Sequence, residues 1–135
     1  MHLNDVLATI GLEQLKYVDL LVNKQRRGAE YYYKNLQNMK EIRVLKEPDG
    51  CKSSYWLFTV LVERREKFIN TLNAYGIECS PVHQRNDKLS IFGKLDKSLK
   101  NTDIFNKKAV CLPNGYWVSQ KDRRFIVDTI KRNFA

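Results

Sequence analysis

The stretch Ser54-Tyr-Trp-Leu-Phe-Thr-Val-Leu-Val62 is rich in aromatic and β-branched residues and contains no charge. Such residues fit a pleated surface, and a nearly continuous apolar run is typical of a strand that is buried on both faces. The stretch therefore predicts the central strand of a sheet. Before it, Ile42-Arg-Val-Leu45 predicts a short strand, and Glu47-Pro-Asp-Gly50 supplies the residues of a turn between the two.

The chain that follows the central strand alternates helical and extended patterns. Residues 64–75 predict a helix with Phe68, Ile69 and Leu72 inward, ended by Gly76 in a left-handed conformation. A strand is predicted over 77–80, ended by Pro81, and a second over 109–112, closed by 113–115. Between them, residues 84–108 predict a polar and lysine-rich surface loop with at most a helical turn. A last helix carries Phe125, Ile126 and Ile130. Ser119 and Asp122 have the spacing of a capping box at the start of this helix.

The N-terminal part of the chain has a helical pattern from Asn4 to about Gln37. Apolar residues recur there at spacings of three and four, and Asn4 or Asp5 can cap the helix. Gly11 is expected to allow close packing on a neighbour, and Gly28 to mark a break or a bend. A continuous helix of this length would reach roughly 50 Å. A helix so long relative to its domain is expected to bridge domains or to pack on a partner.

This order of elements favours an α+β fold with a small, largely antiparallel sheet that is covered by helices on one side. A chain of 135 residues has room for one domain with a core. We therefore predict a single domain over 1–135, with a long interface helix over 1–38 and an α+β sandwich over 42–135.

The composition of the chain bears on which partners it can bind. The chain is 43% hydrophobic and 29% charged, with a net charge of +9 that suits either a nucleic acid or the pyrophosphate of a sugar nucleotide. No nucleic-acid recognition motif accompanies the charge, so a nucleic-acid-binding domain is the weaker alternative. No run of roughly 20 apolar residues and no signal-peptide pattern is visible, so no membrane partner is expected. Three widely spaced cysteines predict free thiols and a reduced, cytoplasmic location.

The segment Pro81-Val-His-Gln-Arg-Asn-Asp87 has the densest set of polar side chains able to bind a ligand. It follows a predicted strand end, where binding loops are commonly found. His83 can donate or accept a proton near neutral pH, Arg85 can hold a phosphate or carboxylate through two parallel hydrogen bonds, and Asn86 can bond sugar hydroxyls. The alternative is a turn in which Asn86 and Asp87 bond their own backbone.

Other patterns of catalytic or metal-binding residues are missing from the sequence. With two distant histidines and no paired ligand spacing, no metal site is expected. No nucleophile–histidine spacing and no glycine-rich phosphate loop is present, so no catalytic residue is assigned. The aromatic pairs Tyr55-Trp56 and Tyr116-Trp117 are expected in the core, as is at least one of Tyr31, Tyr32 and Tyr33.

Several segments resemble, in order, the C-terminal small domain of nucleotide-sugar aminotransferases of the DegT–StrS type, which have the aspartate aminotransferase fold. Leu3-Asn-Asp-Val-Leu-Ala-Thr-Ile-Gly-Leu-Glu-Gln-Leu15 is similar to the interdomain helix of this family, and Lys52-Ser-Ser-Tyr-Trp-Leu-Phe-Thr-Val60 to its central small-domain strand. The remaining similar segments are Gly76-Ile-Glu78, Pro81 to Asp87, Asn101-Thr-Asp103, Cys111-Leu-Pro-Asn-Gly115 and Ser119 to Arg132.

The resemblance implies a dimeric enzyme that moves an amino group, usually from glutamate, to a keto-sugar nucleotide through pyridoxal phosphate. In the family, the Schiff-base lysine and the acidic partner of the cofactor belong to the large domain, and no lysine here lies in that motif. The chain alone is therefore expected to bind no cofactor and to be inactive. It would supply part of the dimer surface and a wall of the sugar-nucleotide pocket, with His83, Arg85 and Asn86 near the substrate and Asn4 near the domain junction.

One alternative from a different functional class is a stand-alone, non-catalytic binding or regulatory module. Its basis is the long first helix, whose apolar face would then pair with a separate large cofactor domain.

Overall fold

The computed structural model of the protein describes residues 4–81, 83–93 and 98–135. His2, Leu3 and Val82 belong to motifs discussed above and lie outside the described residues. Within the described part, the elements are α1 (Asp5–Leu15), α2 (Val18–Leu36), β1 (Ile42–Val44), β2 (Phe58–Val62), α3 (Arg65–Ala74), α4 (Lys100–Lys108), β3 (Ala109–Leu112) and α5 (Gln120–Phe134). Two single 3-10 turns cover Asn86–Lys88 and Ser90–Phe92. No helix in the described ranges is long and apolar enough to cross a membrane.

The three strands form an antiparallel sheet in the order β1-β2-β3, so the predicted central strand is confirmed. Val60 lies opposite Val44 on one side and Val110 on the other. The strand is shorter than predicted because the chain turns at Tyr55, whose φ is +50°, and pairing begins at Phe58. Burial on both faces is only partly right, since Thr59 and Leu61 are half-buried while the alternate residues are buried.

The core lies between one face of this sheet and helices α2, α3 and α5. Its fully buried side chains include Tyr32, Leu36, Phe68, Leu72 and Ile130. The α+β fold with helices over a small antiparallel sheet is therefore confirmed. The prediction for Phe125 is wrong, because this side chain is 50% exposed while its neighbours Ile126 and Val127 are buried.

The long N-terminal helix is divided, but not at the predicted position. The break lies at Lys16 and Tyr17, between α1 and α2. Gly28 is buried in the middle of α2, where its missing side chain lets Asn114 and Arg123 approach the helix, so the predicted bend there is wrong. No described atom outside its own helix surroundings lies within 4 Å of the Cβ position of Gly11, so the chain itself supplies no close neighbour there.

The C-terminal half differs from the prediction in two segments. Residues 77–80 do not form a full strand, because a single bridge between Ser80 and Cys111 is the pairing observed there. The segment expected to be a loop with at most a helical turn contains α4, whose nine residues are polar and lysine-rich apart from Ile104 and Phe105. The left-handed Gly76 at φ +73° is confirmed.

The capping box of α5 is confirmed as well. Ser119 and Asp122 exchange the hydrogen bonds that define it, with the Ser119 hydroxyl accepting from the Asp122 amide.

Candidate functional site

A cleft of about 690 Å³ lies between residues 76–80, the segment after β3 and the first turns of α5. We call it the aromatic cleft, because Trp56, Trp117 and Phe125 line it. Asn114 also lines it, and its side-chain amide donates to the carbonyls of Gln25 (3.1 Å) and Tyr55 (2.9 Å). These two bonds tie the cleft to α2 and to the segment before β2, so the cleft wall is held in place by three parts of the chain.

Two indoles stand largely in solvent beside this cleft. Trp56 is 67% exposed and Trp117 is 72% exposed, so the expectation that both belong to the core is wrong. Sequence composition cannot separate an exposed tryptophan from a buried one, because both positions lie next to strand-like segments. Exposed aromatic surface of this kind binds sugar faces, nucleobases or another protein surface.

The floor of the cleft includes two thiols. Burial raises the pKa of Cys79 to about 11, and burial also raises the pKa of Cys111, against a smaller lowering by its contact with the Thr59 hydroxyl at 3.2 Å. Both thiols are therefore protonated near neutral pH and behave as packing groups rather than nucleophiles. Cys51 is exposed, and all three cysteines are free.

Two carboxylates, Glu78 and Asp122, also line the cleft. Hydrogen bonds from the Ser119 hydroxyl and amide hold the pKa of Asp122 below its usual range. The described residues that line the cleft include no lysine or arginine, so this lining suits an uncharged or aromatic group better than a phosphate.

His83, the first of the predicted site residues, lies close to the aromatic cleft. Its ring stacks on Trp56 with ring centres 6.4 Å apart and planes at 26°. The residue has a φ of +40°, a conformation that non-glycine residues adopt rarely, and the Asn106 side chain donates to its carbonyl at 3.1 Å. His83 is exposed, so the ring can reach a ligand at the mouth of the cleft.

Arg85 makes the forked hydrogen bonds expected of it, but with a carboxylate of its own chain. Its Nε and Nη2 bind the two oxygens of Asp87 at 2.8 and 2.5 Å, and Nη1 lies 3.5 Å from Asp103. The arginine is 7% exposed. A ligand would have to displace Asp87 to bind the same guanidinium edge, so in this structure Arg85 positions the loop.

Asn86 and Asn4 lie in two different places. Asn86 is exposed at the start of a 3-10 turn, where its carbonyl accepts from the Leu89 amide at 2.9 Å. Asn4 caps α1, with its Oδ1 accepting from the Leu7 amide at 2.9 Å. A turn is therefore present at Asn86, but it is held by backbone hydrogen bonds, the Asp87 carboxylate accepts from Arg85, and the Asn86 side chain lies in solvent.

A lysine that forms a Schiff base with pyridoxal phosphate has a partly desolvated amine facing an enclosed site. None of the described lysines is buried, and the aromatic cleft is lined by none of them. The described residues therefore do not fit the group that anchors this cofactor.

Comparison with known proteins gives consistent similarities. The model of the DegT/DnrJ/EryC1/StrS aminotransferase family matches residues 1–131. The chain is 29% identical over 137 aligned residues to a UDP-4-amino-4,6-dideoxy-N-acetyl-beta-L-altrosamine transaminase of Campylobacter jejuni, covering 96% of the chain and 36% of that protein. It is 24% identical to a GDP-perosamine synthase of Escherichia coli O157:H7, covering 99% of the chain and 37% of the relative.

Solved structures show the same relation. The sugar aminotransferase CalS13 from Micromonospora echinospora superposes with a TM-score of 0.91 at 30% identity, over 97% of this chain and 36% of that one. AtS13 from Actinomadura melliaura has the same TM-score at 32% identity, over 98% of this chain and 35% of that one. The chain thus spans about a third of the length of the proteins it matches. On the family match over 1–131, we conclude that this chain belongs to the DegT/DnrJ/EryC1/StrS aminotransferase family.

Proposed function

We propose that this chain acts as the C-terminal small domain of a pyridoxal-phosphate-dependent sugar aminotransferase. The reaction proposed is transfer of an amino group from an amino acid, glutamate in the first instance, to a keto-sugar nucleotide. The observation that carries the proposal is the family match over residues 1–131, at a length about a third of that of its relatives. Three free cysteines support a reduced, cytoplasmic setting as part of the same proposal.

The domain role is supported by α1. This helix has no buried residue, although apolar side chains occur on every side of it. Its exposed apolar residues are Val6, Leu7, Ile10, Leu12 and Leu15. A helix that is apolar all round is a buried helix in the complete protein. We therefore infer that, of the predicted interface helix over 1–38, α1 packs against the cofactor domain and against the second subunit of a homodimer, while α2 joins 42–135 in the sandwich through Tyr32 and Leu36.

The chemical contribution of the chain follows from the site described above. When bound, pyridoxal phosphate supplies the electron sink for transamination. Since no described lysine fits its anchor, the cofactor is assigned to the remainder of the enzyme. We assign to this chain one wall of the sugar-nucleotide pocket, where the His83 ring and the Asn86 amide contact the substrate. Arg85 holds the loop of these two residues in place through its hydrogen bonds to Asp87. Asn4 is assigned to the domain junction.

The test compares the enzyme that contains this domain, with and without substitutions in the loop. His83→Ala and Asn86→Ala are expected to lower kcat/KM for the keto-sugar nucleotide while leaving Tm unchanged, because both side chains are exposed. Asn70→Ala, an exposed position on α3, is the matched control and should leave both quantities unchanged.

A second measurement distinguishes the domain role from the enzyme role. After borohydride reduction in the presence of pyridoxal phosphate, mass spectrometry of the 135-residue chain should find no stoichiometric lysine adduct. A specific adduct on one lysine of this chain would overturn the assignment of the cofactor elsewhere. Unchanged kcat/KM in both loop variants would overturn the assignment of the pocket wall.

A stand-alone binding or regulatory module is the second candidate, and the exposed apolar surface of α1 favours it. In that case a separate cofactor domain would bind α1. Sedimentation of the chain with and without that domain tests this candidate. A stable complex supports it, and a monomer with no affinity for the domain contradicts it.

A further inference from the structure

We propose that the chain binds a phosphate-type anion in a second pocket, between α2 and the start of α5. This basic pocket has a volume of about 290 Å³ and is lined by Lys24, Arg27, Tyr116, Ser119, Gln120 and Arg123. The proposal stands on the geometry of this pocket and does not depend on the aminotransferase function.

The charge of the pocket is the first argument. Three cationic side chains line it, and no carboxylate is found among the described residues of its lining. The nearby acid is Asp122, whose charge interacts with Arg123, but its carboxylate oxygen is engaged by the Ser119 amide (3.0 Å) and hydroxyl (2.6 Å). Cations held together in a concave site attract anions and repel one another until an anion binds.

The state of Arg123 is the second and independent argument. This residue is 8% exposed, and its Nε has no hydrogen-bond partner. Among the residues that the structure describes, no ion pair to Arg123 is found. A buried charge without a partner is costly, and a guanidinium matches two phosphate oxygens through parallel hydrogen bonds. The Nε itself lies against Gly28 and Asn114, which do not line the pocket, so an anion there would pair with the rest of the Arg123 guanidinium.

The position of Arg123 explains why α2 carries a glycine opposite it. A Cβ on Gly28 would lie 2.6 Å from the Arg123 Nε and 2.4 Å from the Asn114 Oδ1. The Asn114 Oδ1 is itself buried without a partner. A purely structural role, in which these two atoms pair with each other, is therefore the competing explanation for the buried arginine, and the experiment includes it as an outcome.

The start of α5 adds a donor to the pocket. The Ser119 amide and hydroxyl are engaged by Asp122, so the donor that remains at the pocket is the amide of Gln120, the first helical residue, and a first-turn amide favours an anion. Val118 lines both the basic pocket and the aromatic cleft, so the two cavities share a wall. A nucleoside diphosphate could therefore place its phosphates in the basic pocket and its base in the aromatic cleft. Free inorganic phosphate is the other possible source of the anion.

The experiment is isothermal titration of the chain with inorganic pyrophosphate, uridine diphosphate and uridine monophosphate, at constant ionic strength set with sodium chloride. Pyrophosphate is expected to bind saturably. Lys24→Gln and Arg27→Gln should each raise the Kd for pyrophosphate about tenfold, because each variant loses one charged contact to the anion. Arg124→Gln removes the same charge from an exposed neighbour on α5 and should change the Kd less than about twofold. Arg123→Gln should abolish binding.

The outcomes separate the sources and the competing explanation. Tighter binding of uridine diphosphate than of pyrophosphate supports a nucleotide, and equal binding supports free phosphates. No saturable binding, or equal weakening by Arg124→Gln, would overturn the site. Should Arg123→Gln fail to fold, the variants at the exposed Lys24 and Arg27 still test the site, because an unchanged Kd for pyrophosphate in both would contradict it. Unchanged affinity in a folded Arg123→Gln variant would mean that the arginine is structural and that the proposal is wrong.

Discussion

Replacing Gly28 with alanine tests the packing of α2 against the segment after β3 and against α5. Alanine is the better helix former by about 1 kcal/mol, so an open site would be stabilised. Here the new Cβ would lie 2.4 Å from the Asn114 Oδ1 and 2.6 Å from the Arg123 Nε. The arginine end can move, but Asn114 is 3% exposed and is held by two hydrogen bonds to backbone carbonyls.

The magnitude follows from these contacts. Overpacking of a filled site costs about 1–3 kcal/mol, and disturbing the two bonds of Asn114 adds about 1 kcal/mol each. Subtracting the gain in helix propensity leaves a net loss of about 2–4 kcal/mol, or a fall in Tm of about 7–14 °C.

The assay is urea denaturation followed by circular dichroism, with the Gly11→Ala variant as the matched control. Gly11 also lies in a helix and nothing lies within 4 Å of its Cβ position, so its replacement should be neutral or stabilising by up to about 1 kcal/mol. A Gly28→Ala variant that is as stable as Gly11→Ala, at an unchanged m-value, would refute the reasoning from close approach.

Three further predictions use single side chains. Tyr32→Phe removes the hydrogen bond from a fully buried hydroxyl to the Pro113 carbonyl at 2.8 Å and should cost about 1–2 kcal/mol in thermal unfolding. Burial also raises the pKa of Tyr32 above its usual value of 10. The free energy of unfolding should therefore fall as the pH rises above about 10, because the unfolded chain loses this proton first. Tyr32→Phe should reduce that alkaline loss in denaturation measured as a function of pH. One thiol, that of Cys51, should react rapidly with Ellman's reagent in the native protein and all three after unfolding; two rapid thiols would contradict the burial of Cys79 and Cys111. Ser119→Ala should lower stability by about 1 kcal/mol through loss of the α5 cap, whereas Ser119→Thr, which keeps the hydroxyl that donates to Asp122, should retain most of that stability in the same melting experiment.

The parts of the fold that were predictable rest on local signals. The capping box at Ser119, the glycine at 76 and the apolar period of α3 each act within a few residues, so the sequence displays them directly. The helix over 100–108 was missed because it is short and lysine-rich, and Ile104 and Phe105 are its two large apolar residues. The strand expected over 77–80 has the right composition, but its pairing needs a partner edge, and a single bridge to Cys111 is what that edge provides.

The candidate site was predictable in residue type and only partly in geometry. The fork of Arg85 exists, yet its partner is Asp87 two residues away rather than a free anion site. The exposure of Trp56 and the burial of Arg123 depend on segments far apart in the chain, and composition favoured the opposite environments.

Residue type and spacing along the chain were enough to indicate the central position of Phe58–Val62, the capped last helix and the family resemblance of this protein. Tertiary structure alone decided which polar groups meet: His83 on Trp56, Arg85 on Asp87, and Arg123 with Asn114 over Gly28. The physical reason is that burial and charge pairing are set by distances in space between residues up to about a hundred positions apart, and a linear pattern reports only the local part of that free energy.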